Sequence, residues 1–140
     1  MFDSQGTTLK EMSSETRTIL IADDDDSIGQ FLELAILQET PYKPLVVATA
    51  EQAVATALDT KPDLFILDYY LGHMNGLELY DQLHAYKELE TTPAIILTAS
   101  LEKHLHEINR RQLVGLAKPL ELDDLILSIE RSLNNCRTHQ

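Results

Sequence analysis

Tryptophan is absent, cysteine occurs once, and basic residues are scarce: 11 lysines and arginines stand against 23 aspartates and glutamates, a formal net charge of −12 in 140 residues. Each shortage excludes something. A lone Cys136 leaves no disulfide framework, no Cys-x-x-Cys pair and no structural zinc site of the usual kind. The acidic excess repels nucleic-acid phosphates and anionic membranes, so neither nucleic acid nor membrane is an expected partner. No apolar stretch approaches the roughly 20 residues a bilayer requires. The start of the chain, MFDSQGTTLKEMSSETR, has neither the basic nor the apolar region of a secretory signal. A cytoplasmic protein is expected.

With 44% apolar residues the chain can fill one core of ordinary size. Residues 1–16 are polar and aperiodic and read as a flexible N-terminal arm, 17–134 as the folded domain and 135–140 as a short tail. Apolar runs at 19–22, 45–48, 64–67, 94–97 and 113–116, several apolar throughout, fit strands buried on both faces. Between them, Ile28, Phe31, Leu32, Ala35 and Ile36 recur at helical spacing, as do Ala50, Ala53, Val54, Ala57 and Leu58. Segments 77–86 and 101–108 add two helices, and Leu122, Leu125, Ile126, Ile129 and Leu133 define the last. Thr49 with Gln52 and Asn75 with Glu78 have the spacing of capping boxes. Five strands alternating with five helices predict a doubly wound α/β domain around a five-stranded parallel sheet.

In such a sheet ligands bind beyond the carboxyl ends of the strands. Those ends carry Asp23 and Asp24 after ILIA, Asp68 after LFIL, Thr98 closing AIIL, and Lys118 after LVGLA. Gathered carboxylates repel, each close pair by on the order of 4 kcal/mol at an effective dielectric near 20. They call for a cation. Oxygen ligands suit Mg²⁺, with Mn²⁺ as the second candidate, and Mg²⁺ fills its remaining positions with water and phosphate oxygens. A phosphoryl partner follows. A lysine and a threonine hydroxyl can hold phosphoryl oxygens, and a central aspartate can act as nucleophile and form an acyl phosphate. Plainer readings compete: Asp25 or Asp26 as a helix N-cap, Thr98 as a strand residue of high β-propensity, Lys118 as a solvated side chain. The acidic run lacks the alternation and glycine of an EF-hand loop, which speaks against calcium.

The segments ILIADDDDSIGQFL, PDLFILDYYLGHMNGLEL, PAIILTAS and LAKPL, in this order and spacing, resemble the receiver domain of two-component response regulators over about residues 17–134. The resemblance implies the flavodoxin-like strand order 2-1-3-4-5. It also implies Asp68 as phospho-acceptor, Asp23 and Asp24 as Mg²⁺ ligands with Asp68 and the backbone carbonyl of Tyr70, and Thr98 and Lys118 as phosphoryl-binding groups. A cis Lys118–Pro119 bond is part of the pattern. The expected donor is a phosphohistidine of a sensor kinase or phosphotransfer protein, and the expected output is binding of a downstream protein. That is a signalling role rather than an enzyme's.

Departures from the family pattern matter for mechanism. Gly115 stands three residues before Lys118, where a tyrosine or phenylalanine commonly couples to the threonine, and implies added local freedom there. Gly72 replaces a frequent proline, with His73 following it. Tyr70 and Ser100 occupy positions that govern water access to the acyl phosphate, and Tyr70 is expected to shield it. His73, His84, His104, His106 and His139 read as surface residues, Tyr80 and Tyr86 as packing, and Arg110-Arg111 as a solvated helix end. The reading is a stand-alone receiver with a homodimer left open. One alternative is a receiver-like scaffold that does not switch. Another is a small Mg²⁺-dependent aspartyl phosphatase, disfavoured because Tyr70 stands where that chemistry wants an acid.

Overall fold

Period-two alternation divides each central strand between two cores. In a computed structural model, which describes residues 16–138 and their side chains through Asn134, strand β1 (Thr18–Ala22) sends Leu20 and Ala22 to one core and Ile19 and Ile21 to the other. Strand β3 (Leu64–Asp68) does the same with Phe65 and Leu67 against Leu64 and Ile66. These apolar residues are fully buried, which explains why the runs lack polar positions. Strand β2 (Lys43–Val47), β4 (Ala94–Thr98) and β5 (Val114–Ala117) complete a parallel sheet in the order β2-β1-β3-β4-β5, as expected.

Helices α1 (Asp26–Glu39) and α5 (Leu122–Thr138) cover one face, contributing Leu32, Ala35, Ile36, Leu125, Ile129 and Leu133 to its core. Helices α2 (Ala50–Thr60), α3 (Gly76–His84) and α4 (Leu101–Arg110) cover the other. Both expected capping boxes form: Thr49 and Gln52 at α2, Asn75 and Glu78 at α3. Of the two candidate caps for α1, Asp25 takes the role, its carboxylate accepting from the amides of Ser27 and Ile28.

Several boundaries differ from the sequence reading, each for a backbone reason. The second strand starts at Lys43 because Lys43 N donates to Arg17 O and Thr18 lies opposite, and Pro44 is tolerated because the strand is at the sheet edge. Leu113 lies in the turn that closes α4 rather than in β5: its amide donates to Ile108 O after Gln112 adopts φ 59°. Helix α3 ends at His84, where the amides of Ala85 and Tyr86 tighten onto Gln82 and Leu83, and a short 3₁₀ turn (Lys87–Leu89) follows. At the C-terminus α5 runs on to Thr138, past the expected start of the tail, since neither glycine nor proline interrupts it. The N-terminal arm, apart from Thr16, lies outside the described residues, as does His139.

Because Phe65 and Ile96 are fully buried in one core, we expect Phe65→Ala to cost about 3–5 kcal/mol and Ile96→Val about 1 kcal/mol, measured as shifts in the urea midpoint.

Candidate functional site

The parallel register brings the strand ends level, and with them the side chains that follow. Asp23, Asp68 and Thr98 are buried at 3%, 6% and 1% exposure, while Asp24 faces solvent. Asp23, Asp24 and Asp68 each offer an oxygen within 4.8 Å of the others. Lys118, carried past the end of β5 and followed by a cis bond to Pro119, reaches back over the sheet. Its Nζ donates to Asp68 Oδ1 at 2.9 Å and lies 3.5 Å from Asp23 Oδ2. The amide of Asp25 donates to Asp23 Oδ1 at 2.9 Å, fixing that carboxylate at the head of α1. Thr98 Oγ1 accepts from the amide of Ser100 at 3.0 Å and retains its own proton for a further acceptor. Of the residues the sequence named, Asp23, Asp24, Asp68 and Lys118 meet in one cluster, and Thr98 closes the strand beside Asp68.

One lysine does not balance three carboxylates. Burial raises the Asp68 carboxyl above its ordinary value against the pull of Lys118, and burial likewise raises Asp23 against the Asp25 amide. Burial opposes the charge of Lys118, but Asp68 and Asp23 outweigh it and hold the ammonium above the usual lysine value. An added cation would favour the ionised form of both carboxyls. The donor chemistry fits a hard divalent ion: carboxylate oxygens from Asp23, Asp24 and Asp68 lie close enough to share one metal.

The loop after Asp68 is held by backbone pairing. Tyr70–Leu71 pairs antiparallel with Met74–Asn75 in a small ribbon, and Gly72 supplies the φ of 71° that turns it. The Tyr70 ring is 55% exposed and meets Tyr69 edge-on at 4.8 Å between centroids.

Three residues that sequence reasoning dismissed or passed over carry structural weight. Gly76 opens α3 so close to the acceptor strand that a Cβ there would stand 2.6 Å from the Asp68 carbonyl oxygen, and its amide donates to Tyr69 O at 2.7 Å. The Asn75-Gly76 pair signals only a turn; the close approach is tertiary. His104 is not a surface residue: it is 9% exposed, and its ring lies flat on Tyr69 at 3.7 Å. Two-residue spacing from His106 shows that these histidines diverge on the helix but not which one faces inward. Arg111 is not a solvated end either, since its guanidinium grips Asp81 of α3 at 2.9 and 2.8 Å and Glu107 at 3.0 Å. Of the remaining histidines, His84 is half-buried, its Nε2 2.7 Å from Thr92 O, while His73 and His106 are exposed as read. Nor does Gly115 leave open space: a Cβ there would lie 2.7 Å from Leu101 Cδ1 and 3.2 Å from Ile108 Cδ1.

Fold and pocket together define a class: a doubly wound α/β domain whose strand ends hold an acidic, lysine-bridged site suited to a divalent cation and a phosphoryl group. Within that class the chain belongs to the response regulator receiver domain family, which it matches over residues 19–130. It is 30% identical over 123 residues to the response regulator ArlR of Staphylococcus epidermidis, covering 82% of this chain and 52% of that protein. Among solved structures, a putative response regulator from Chloroflexus aurantiacus superposes with a TM-score of 0.78 at 28% identity, covering 86% of this chain and 99% of that one. The chemotaxis protein CheY4 of Vibrio cholerae gives 0.75 at 28% identity, covering 84% and 99%. The chain spans about half the length, or less, of the first curated relatives it matches. Among the described residues no helix is long and apolar enough to cross a membrane.

Both buried carboxyls bind protons more readily in the fold than in the unfolded chain. Their ionised forms therefore weigh against folding at neutral pH, and this cost is relieved as pH falls through the folded-state values. Asp68→Asn is accordingly expected to raise the melting midpoint of the metal-free protein at neutral pH, and by less in mild acid. Magnesium at about 100 times its dissociation constant should stabilise the wild type by about 2.7 kcal/mol and the variant far less, read by calorimetry. Gly76→Ala should lower stability by about 2 kcal/mol or more, since backbone cannot yield as a side chain does. An unchanged urea midpoint would refute that close approach.

Proposed function

We propose that this chain accepts a phosphoryl group on Asp68 and signals by binding another protein. The observation that carries the reading is Lys118 Nζ at 2.9 Å from Asp68 Oδ1 inside a cluster of three carboxylates. In the proposed transfer an Asp68 carboxylate oxygen attacks phosphorus, the Oδ–P bond forms, the P–N bond of the donor phosphohistidine breaks, and the imidazole leaves with the electron pair. Lys118 then exchanges part of its hold on Asp68 for a phosphoryl oxygen, and Thr98 donates its hydroxyl proton to another. Asp23, Asp24, Asp68 and the Tyr70 carbonyl would hold Mg²⁺, or Mn²⁺, which when bound offsets the charge gathered on the phosphoryl oxygens. Asp25 and Gly76 position Asp23 and the backbone of Asp68.

The donor is a sensor histidine kinase or histidine phosphotransfer protein, with a downstream protein as target, and the setting is the cytoplasm. The role is one of signalling rather than substrate turnover. Nucleic acid is not a proposed partner, given the net charge of −12. Transcriptional roles named for some relatives are said of those proteins.

Intact mass after incubation with acetyl phosphate and Mg²⁺ tests the reading. A single phosphoryl adduct is expected in the wild type, lost without metal and absent in Asp68→Asn; an adduct of equal yield in Asp68→Asn would overturn it. Tyr70, beside the acceptor, is proposed to slow hydrolysis of the acyl phosphate. Tyr70→Asn should shorten the adduct's lifetime, and an equal or longer lifetime would dismiss the shield.

Gly115 favours a second reading, a receiver-like scaffold that binds its partner without switching, because β5 offers no aromatic to reorient. Equal partner affinity for wild type treated with acetyl phosphate and for Asp68→Asn would select it.

A further inference from the structure

Tyr69 is held at both ends of its backbone beside the acceptor. Its amide donates to Leu97 O at 2.8 Å, and its carbonyl accepts from Gly76 at 2.7 Å. Between these two bonds the ring projects onto α4 and lies flat on the His104 imidazole, with centroids 3.7 Å apart and planes 17° from parallel. Tyr70 meets both rings near edge-on, at 4.8 Å from Tyr69 and 6.2 Å from His104. His104 is over nine-tenths buried, and its Nε2 has no hydrogen-bond partner among the described residues. Burying an imidazole nitrogen without a partner is unfavourable. The ring is therefore kept in place by the stack and by packing, which a small movement can alter at little cost in hydrogen bonds.

The remaining attachments of α4 are unequal. At its head, the Ser100 amide is tied to Thr98 Oγ1, inside the site. At its end, Arg111 is locked to Asp81 of α3 by two short bonds. Toward β5 the helix faces Gly115, and the flexible ends of Leu101 and Ile108 occupy the space a side chain would take. No aromatic on β5 can carry a signal to α4 at this point. The aromatic link lies on the opposite flank, one peptide bond from Asp68.

Resting on the acceptor reading, we propose that the Tyr69–His104 ring pair is the element through which the state of Asp68 reaches α4, with His104 as a positioning residue. A group added to Asp68 draws on Thr98 and Lys118 and shifts the Tyr69 peptide. The stacked imidazole follows, and the N-terminal half of α4 moves about an end anchored by Arg111 and Asp81. The device replaces coupling through β5 with coupling through the acceptor loop.

Nuclear magnetic resonance of the whole chain with Mg²⁺ and beryllofluoride, a phosphoryl mimic, tests this. Fluorine resonances report occupancy of Asp68 independently of α4. In the wild type the His104 ring and the amides of Leu101 to Leu105 are expected to shift, and those of Asn109 to Arg111 to shift least. His104→Phe, which keeps a flat ring, should retain the α4 response. His104→Leu, which fills the volume without a ring, should bind beryllofluoride yet lose that response, as should His104→Ala where it folds. Full-sized α4 shifts in His104→Leu, with bound fluoride present, would overturn the proposal while leaving the acceptor reading intact. Absence of a bound fluorine signal in the wild type would end the acceptor reading and this proposal together.

Discussion

The molecule depends on an unbalanced charge at the ends of its strands. Asp23 and Asp68 are buried carboxylates answered within the chain by Lys118, with Asp24 close by at the surface. Burial raises both carboxyls, so the fold retains groups that weigh against it at neutral pH. Such a cost is sustained only if the rest of the structure over-determines the site, and it does: two apolar cores pack β1 and β3 from both faces.

The same construction explains why the site is at once rigid and open to chemistry. Strand register fixes where Asp23, Asp68 and Thr98 stand, and backbone bonds from Asp25 and Gly76 hold the segments around them. Lys118 enters from beyond β5, and α4 touches the strand ends through the Ser100 amide on Thr98 and the His104 ring on Tyr69. The family's receiver fold supplies the frame; within it Gly115 leaves β5 without a side chain facing α4, and His104 fills the flank beside Tyr69.

Much of the site was legible because it follows from strand ends. Each apolar run announces a buried strand, and the residue that ends it is placed by the sheet, so Asp23, Asp24, Asp68, Thr98 and Lys118 could be named together. Gly115 was legible as an absence, but its consequence was not, because neighbouring helix side chains decide whether a missing side chain leaves space or is replaced. Leu101 and Ile108 replace it. Gly76 drew no reading from the sequence because nothing local shows that α3 begins against the Asp68 carbonyl. His104 and Arg111 read as surface because helical periodicity assigns a polar residue outward, whereas a ring and a carboxylate from other elements receive these two.

What the sequence by itself determined is the alternation of five strands with five helices, the capping boxes at α2 and α3, and the identity of the groups at the strand ends. These are set by periodicity and by hydrogen bonds among residues a few positions apart. What only the tertiary structure decided is where β2 begins, how close α3 comes to Asp68, and which partners hold His104 and Arg111. Those outcomes turn on contacts between residues far apart in the chain, whose distances no local pattern encodes.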